Sequence, residues 1–204
     1  QEVSNEVNKN TTNVYLYLET DQDIQNAGIL ENGQLSSETE AKGTNKCIAL
    51  QFNKDIRKIK IRYGISFISE KQAKANLYRE IEGFDKDILI EKGRNVWNKV
   101  LNKTKVEGGT EDDRIVFYTS IYRTYERPVC ISEDGRYYSA FDGQIHDDNG
   151  TPFYTDDWIW DTYRATHPLR CLTEKEMEQD IINSFIRMAE QMDEFWMPTF
   201  PEIM

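Results

Sequence analysis

The chain changes its hydrophobic period at Ser69, and that change limits the folds open to it. Upstream, Ile59, Ile61, Tyr63, Ile65 and Phe67 alternate with Lys58, Lys60, Arg62, Gly64 and Ser66. A period of two sends successive side chains to opposite faces of a strand. The stretch therefore reads as a half-buried antiparallel strand, its Ile/Tyr/Phe face on a core and its Lys/Arg face in water. Val14, Leu16 and Leu18 alternate with Tyr15 and Tyr17, and Ile48, Leu50 and Phe52 form a third such run. Asn32-Gly33 marks a turn between them, and the polar first ten residues, Gln1 to Asn10, are expected to fray.

Beyond Ser69 the spacing becomes helical. Ser69 and Gln72 fit a capping box, and Ala73, Leu77 and Ile81 follow on one face before Gly83. Asp85 opens a second helix, with Leu89, Val96, Trp97, Val100 and Leu101 as its inward face and Gly93 weakening its middle. Gly108-Gly109 ends that run. Thr110 then caps a third helix through Ile115, Tyr118, Thr119, Tyr122 and Tyr125, which ends before Pro128. Asp134-Gly135, Asp142-Gly143 and Asn149-Gly150 predict one or two hairpins or a structured loop over 129–155. A fourth helix is expected from Asp156 or Asp157, ending by Pro168. A fifth follows, with a capping box at Thr173 and Glu176 and an apolar stripe of Met177, Ile181, Phe185, Met188, Met192 and Phe195. Strands followed by helices imply two domains of different class. The helical part has few helices for its aromatic faces, so it reads as an incomplete domain.

Charge excludes one partner class. Against 25 basic side chains stand 36 acidic ones, for a net charge of -11. Phosphate backbones are bound by clustered Lys and Arg, so nucleic acid is not expected. No run approaches the ~20 apolar residues of a membrane span. Cys47, Cys130 and Cys171 lie far apart with no Cys-x-x-Cys, and His146 and His167 are not at zinc spacing. Free, mostly buried thiols are expected.

Chemistry concentrates between Asp156 and Pro168. Two indoles (Trp158, Trp160), three carboxylates (Asp156, Asp157, Asp161) and the Arg164 guanidinium fall within nine residues. Aromatic faces stack on the C–H faces of a sugar ring, while carboxylates and guanidinium grip its hydroxyls. The same residues also fit a helix start with a buried Trp and a surface ion pair, and composition does not choose between the two.

Several ordered blocks choose the sugar reading. They are Gly64-Ile65-Ser66-Phe67-Ile68-Ser69; Glu70-Lys71-Gln72-Ala73 with Asn76-Leu77 and Glu80; Trp97-Asn98-Lys99-Val100-Leu101; Phe117 to Arg123 with Pro128; Asp134-Gly135-Arg136-Tyr137 with Phe141-Asp142-Gly143; and Ile159-Trp160-Asp161-Thr162-Tyr163-Arg164 with His167-Pro168-Leu169. In this order over residues 56–200, the chain resembles glycoside hydrolase family 92, the calcium-dependent exo-acting α-mannosidases. The resemblance implies a β-then-α multi-domain fold. Residues 1–68 would be the C-terminal part of an antiparallel β-sandwich, 69–109 a helical linker, and 110–204 the first helices of an (α/α)6 barrel. It also implies inverting removal of terminal mannose from glycans, and a periplasmic, cell-surface or secreted location. The general acid, the general base and the calcium ligands would lie beyond residue 204. This chain would supply the grip on the sugar: Asp161 as acceptor of sugar hydroxyls, Trp160 as stacking wall, Arg164 as orienter of a carboxylate, and Trp158 at the site's edge. Asp157 and Trp158 stand where many relatives have an aromatic and a small residue, a change expected to remodel the pocket or its rim. The competing function is a non-catalytic carbohydrate-binding or structural segment. Oligomeric state is not set by these residues.

Three smaller groupings have bland readings. Asp147-Asp148-Asn149 has oxygens suited to calcium but too short a ligand series, and a solvated turn fits it better. Glu126, Glu133 and Asp134 might be taken for an acid–base pair, but their separation in space decides that. His167, just before Pro168, is expected to be structural at a helix end, since no Ser or Cys completes a triad.

Overall fold

The computed structural model describes residues 12–31, 33–37, 47–192 and 196–197. The expected fraying of Gln1–Asn10, the Asn32 half of the Asn32-Gly33 turn and the place of Phe195 in the last stripe lie outside these residues. Strands come first. β1 (Tyr15–Thr20) pairs antiparallel with β5 (Ile61–Ser66), while β2 (Asn26–Glu31) lies between β3 (Gln34–Ser36) and β4 (Cys47–Gln51) in a second antiparallel sheet.

The two faces of β5 are reversed from the expectation. Gly64 and Ser66 are buried, and Ile61, Tyr63 and Ile65 are exposed, Tyr63 by 58%. Helix α1 (Glu70–Glu80) causes this by lying across the polar-looking face. A Cβ at Gly64 would stand 2.3 Å from the Ala73 carbonyl oxygen and 2.9 Å from the Leu77 Cβ, so only glycine lets the helix come this close. Arg62, read as a wet residue, is held on the same face. It donates to Glu19 through Nε (2.9 Å) and Nη2 (2.5 Å), and to the Ile81 carbonyl at 2.6 Å. Alternation gave the strand correctly, but not which face its neighbour would cover.

The N-terminus of α1 is half of a capping box. Ser69 Oγ accepts from the Gln72 amide at 3.1 Å, but the Gln72 side chain turns away to Asn76 and Asp134. Helices α2 (Lys86–Leu101) and α3 (Glu111–Arg123) bury none of their residues. Helix α2 runs through Gly93 unbroken; Leu89, Trp97, Val100 and Leu101 are half-buried and Val96 is exposed. The two helices meet mainly through aromatic rings, with Trp97 4.4 Å from Tyr122 and 5.9 Å from Tyr125. Thr110 and Asp113 form the reciprocal cap of α3.

The compact centre is a nested pair of two-stranded sheets packed on the last helix. β6 (Val129–Cys130) pairs with β9 (Tyr154–Thr155) and frames the hairpin of β7 (Arg136–Ser139) and β8 (Gln144–Asp147). Asp134-Gly135 and Asn149-Gly150 both take positive φ at both positions, the turn geometry that Asx-Gly pairs favour. Tyr137 stacks on Phe153 at 3.9 Å, and both are buried against Ile181, Phe185 and Met188 of α6 (Lys175–Gln191). The predicted stripe of α6 is thus core, ending in buried Met192.

Three local expectations fail here. The helix expected to end by Pro168 is two: α4 (Ile159–Thr162) and α5 (Thr166–Thr173). Pro168 sits in the first turn of α5, where backbone N–H groups lack helical partners and proline costs little. The second capping box is also absent. Glu174, not Thr173, precedes α6, no side chain caps it, and the Thr173 hydroxyl donates to the Leu169 carbonyl at 3.1 Å. The three cysteines are free but exposed rather than buried, lying on β4, β6 and α5.

Close approach at Gly64 gives a direct test. Gly64→Ala should destabilise the chain by about 1–3 kcal/mol, the usual range for overpacking, read as a lower urea midpoint. An unchanged midpoint would mean α1 does not rest on β5.

Candidate functional site

The segment Asp156 to Pro168 is built by a short helix between two buried anchors. Asp156 takes φ 64°, and the chain then turns into α4, with Trp158 at the N-cap position and no side-chain cap. Thr162 is buried, and its hydroxyl donates back to the Trp158 carbonyl at 3.1 Å. Ile159 packs against the core cluster. These two inward residues force the others outward. Trp160 is 68% exposed, and Asp161, Tyr163 and Arg164 are exposed with it. Adjacent helical residues point about 100° apart, so Trp160 and Asp161 leave the helix in different directions, both into solvent.

Trp158 is less free. It is 40% exposed, and the Arg127 guanidinium carbon lies 4.0 Å from its ring centroid. Arg127 also pairs with Asp156 at 2.9 Å. One face of this indole is therefore covered by a cation. Arg164 donates from Nε to the Tyr163 hydroxyl at 2.8 Å and lies over that ring; its partner here is the phenol.

Asp157, expected to remodel the pocket or its rim, is fully buried at 0% exposure and belongs to a different structure. His167 Nε2 lies 2.8 Å from Asp157 Oδ2, and His167 Nδ1 lies 2.8 Å from Glu178 Oε1. Glu178 is buried on α6. Arg170 is buried beside them and donates to the backbone carbonyls of Thr124 and Arg127. The hydrogen bond to Asp157 holds the imidazole pKa above its usual 6.5, and Glu178 adds to this against the cost of burial. Two carboxylates, an imidazole and a guanidinium thus meet at one site. Among the described residues, Asp157 Oδ1, Glu178 Oε2 and Arg170 Nε and Nη1 have no hydrogen-bond partner.

Sequence reasoning placed His167 at a helix end and missed its two partners. The signal was present. Glu178 falls in phase with Ile181, Phe185, Met188 and Met192, a carboxylate on an apolar stripe. A buried charge in that position needs partners.

Glu133 is no acid–base candidate. It is buried, accepting from the Phe67 amide at 2.9 Å and from Asn76 at 2.6 Å, while Glu126 is exposed elsewhere. Asp134 pairs with Gln72 and Arg79 instead. Asp148 closes its own turn, its Oδ1 accepting from the Gly150 amide at 2.8 Å. Among the described residues, no group of three or more His, Cys, Asp or Glu is placed to hold a metal ion, and no helix is long and apolar enough to cross a membrane.

The family model of the glycosyl hydrolase family 92 catalytic domain matches residues 72–204. An inverting mannosidase of that family from Bacteroides thetaiotaomicron is similar over 92% of this chain and 26% of its own, at 30% identity and a TM-score of 0.80. A family 92 α-mannosidase of the same organism, solved with mannoimidazole, is similar over 93% and 26%, at 23% identity and a TM-score of 0.78. The family 92 glycosyl hydrolase ccman5 is similar over 87% and 24%, at 21% identity and 0.80. The last two likenesses speak for the fold alone. The chain spans about a quarter of the length of these solved relatives. No curated protein matches it by sequence.

The half-buried imidazole sets a pH dependence. Its pKa is raised on folding, so its contribution is complete below about 6.5 and is lost as pH rises through the folded value. Urea midpoints of the chain should therefore exceed those of His167→Gln most at low pH, with the gap narrowing above 6.5. A gap that stays constant through that window would show that the imidazole does not change charge there.

Proposed function

The chain belongs to glycosyl hydrolase family 92, with the family's catalytic domain matched over residues 72–204, and from that membership we propose that it is a segment of an exo-acting α-mannosidase that grips the terminal mannose. The observation that carries this is the exposure of Trp160 and Asp161 inside the matched region. An indole face suits the C–H face of the ring, and a free carboxylate accepts from its hydroxyls. Arg164 would move from Tyr163 to orient a carboxylate when sugar and the rest of the site are in place. Trp158, backed by Arg127, would form the edge. The relative at 30% identity is an inverting mannosidase, which supports a mannose-containing glycan as the partner.

The reaction proposed is inverting hydrolysis. One carboxylic acid protonates the leaving oxygen, and a second carboxylate activates water on the opposite face. Both, with the calcium ligands, are proposed to come from sequence other than the described residues. Among the described residues no cluster fits a calcium site, and in Asp147-Asp148-Asn149 the Asp148 Oδ1 is spent on its own turn; no step here is drawn through the ion. The proposed domains are 1–68 as the end of a β-sandwich, 69–109 as a helical linker and 110–204 as the start of an (α/α)6 barrel. The open apolar face of β5 supports the first, and α2 and α3, with no buried residue, support the others. A periplasmic, cell-surface or secreted location goes with a glycan substrate.

Two measurements test this. In the longer enzyme, Asp161→Ala should lower kcat/KM on α-mannosides by about tenfold or more, since a hydrogen bond to a charged group contributes roughly 1.5–3 kcal/mol. Unchanged kinetics would remove Asp161 from the site. The 204-residue chain by itself should release no mannose, and calcium should leave its melting temperature unmoved. Turnover by that chain would place acid and base within it.

A further inference from the structure

The residues proposed to meet sugar have little of their own to hold them. Between Asp157 and His167, only Thr162 is buried and only Ile159 reaches the core cluster. Three backbone hydrogen bonds organise α4: the Asp161 and Thr162 amides donate to the Trp158 carbonyl (2.8 and 3.1 Å), and the Tyr163 amide to the Ile159 carbonyl (3.0 Å). A four-residue helix cannot persist on such bonds alone, because nucleation is unfavourable and propagation never follows.

The ends of this segment supply what its middle lacks. Asp157 opens it and His167 closes it, and the two side chains are 2.8 Å apart. The other nitrogen of the same imidazole is 2.8 Å from Glu178, in the first turn of α6. The loop is thus closed on itself and tied to α6 at this ring, beside the Ile159 contact with the core. The Phe185 ring packs edge-on at 6.2 Å. The charged and titratable groups around the imidazole are Asp157 from the loop, Arg170 from α5 and Glu178 from α6, with Tyr125 and Tyr154 beyond Arg170. When both ring nitrogens carry protons, both carboxylates are served by donors. A neutral ring serves only one.

We infer that His167 is a positioning residue, which closes residues 157–167 into a loop clasped to α6 and thereby sets the attitude at which Trp160 and Asp161 face a sugar. What the loop presents rests on the mannoside reading above; the clasp itself does not. His167 touches no substrate and acts only through Asp157 and Glu178. The clasp also works in one direction with pH. As the ring loses its second proton, one buried carboxylate loses its donor, and the loop is released from one side.

Residue-resolved hydrogen exchange on the 204-residue chain tests the clasp without any sugar. In His167→Leu, the Asp161, Thr162 and Tyr163 amides should exchange about tenfold or more faster. The Ile131 amide, which donates to the Phe153 carbonyl in the core, should be unchanged. Asp157→Asn keeps an acceptor for the imidazole and should retain protection to within about threefold. Wild-type chain provides the second arm, should the leucine variant not fold. Protection of the three amides, corrected for intrinsic rates, should fall along the titration curve of the His167 ring followed by NMR, while that of Ile131 stays level. Wild-type exchange rates in His167→Leu, or protection flat across that titration, overturn the inference. In the longer enzyme, a loosened loop with undiminished hydrolysis of α-mannosides would leave the clasp standing and remove the sugar reading from Trp160 and Asp161.

Discussion

A carboxylate taken out of water must find donors, because isolated burial costs far more than any packing can return. This fold buries two carboxylate hubs, and its parts are joined at them. Glu133 receives the Phe67 amide from the end of the strand region and the Asn76 amide from α1, while sitting at the entry to the β7–β8 hairpin. It joins the β part to the centre. Glu178 does the same for the helical part. Through His167 it holds the loop before α5, and Arg170 nearby ties that helix to the carbonyls after α3. Apolar packing of Tyr137, Phe153 and α6 supplies the bulk of the core. Geometry between elements is set by charge that has few places to go.

The same argument explains why so much apolar surface is left outside. Neither hub reaches β2–β4 or the outer faces of α2 and α3, where Ile48, Ile88, Val96, Ile115 and Val116 are exposed. The open face of β5 joins Ile61, Tyr63 and Ile65 to Leu16 across the pair with β1. Surfaces of this size ordinarily meet other protein. A chain covering a quarter of its solved relatives' length has such surface for a physical reason. The core cluster gathers at the hairpin and α6, and among the described residues nothing covers these remaining faces.

How legible this was depended on which signals are local. The α6 stripe, the Thr110 cap and the Asx-Gly turns follow from spacing and backbone preference within a few residues, and all are as read. The facing of β5 was not legible, since a period of two gives a strand with two sides and no label for either. Only the approach of α1 to Gly64 decides it. The break between α4 and α5 was missed because proline fits a helix's first turn as well as it ends one. Asp157 was missed most instructively. Beside Trp158 and Asp161 it looked like part of a sugar grip, yet it is the most buried carboxylate of the segment. One residue's difference in phase separates a carboxylate that faces solvent from one that faces His167.

That difference in phase is also the strongest argument for how the segment works. Of its three carboxylates, Asp156 is paired with Arg127, Asp157 with His167, and only Asp161 stands exposed beside an indole whose face is open. The fold has therefore neutralised two of three like charges within six residues and left the third in water. A segment selected only for a stable helix start would have no use for an exposed indole next to that remaining charge, since burying the indole would stabilise it by roughly 1.5–3 kcal/mol. An exposed Trp160 on a loop held by two buried carboxylates supports the proposed sugar surface, with rigidity supplied from behind rather than from the contacting residues themselves.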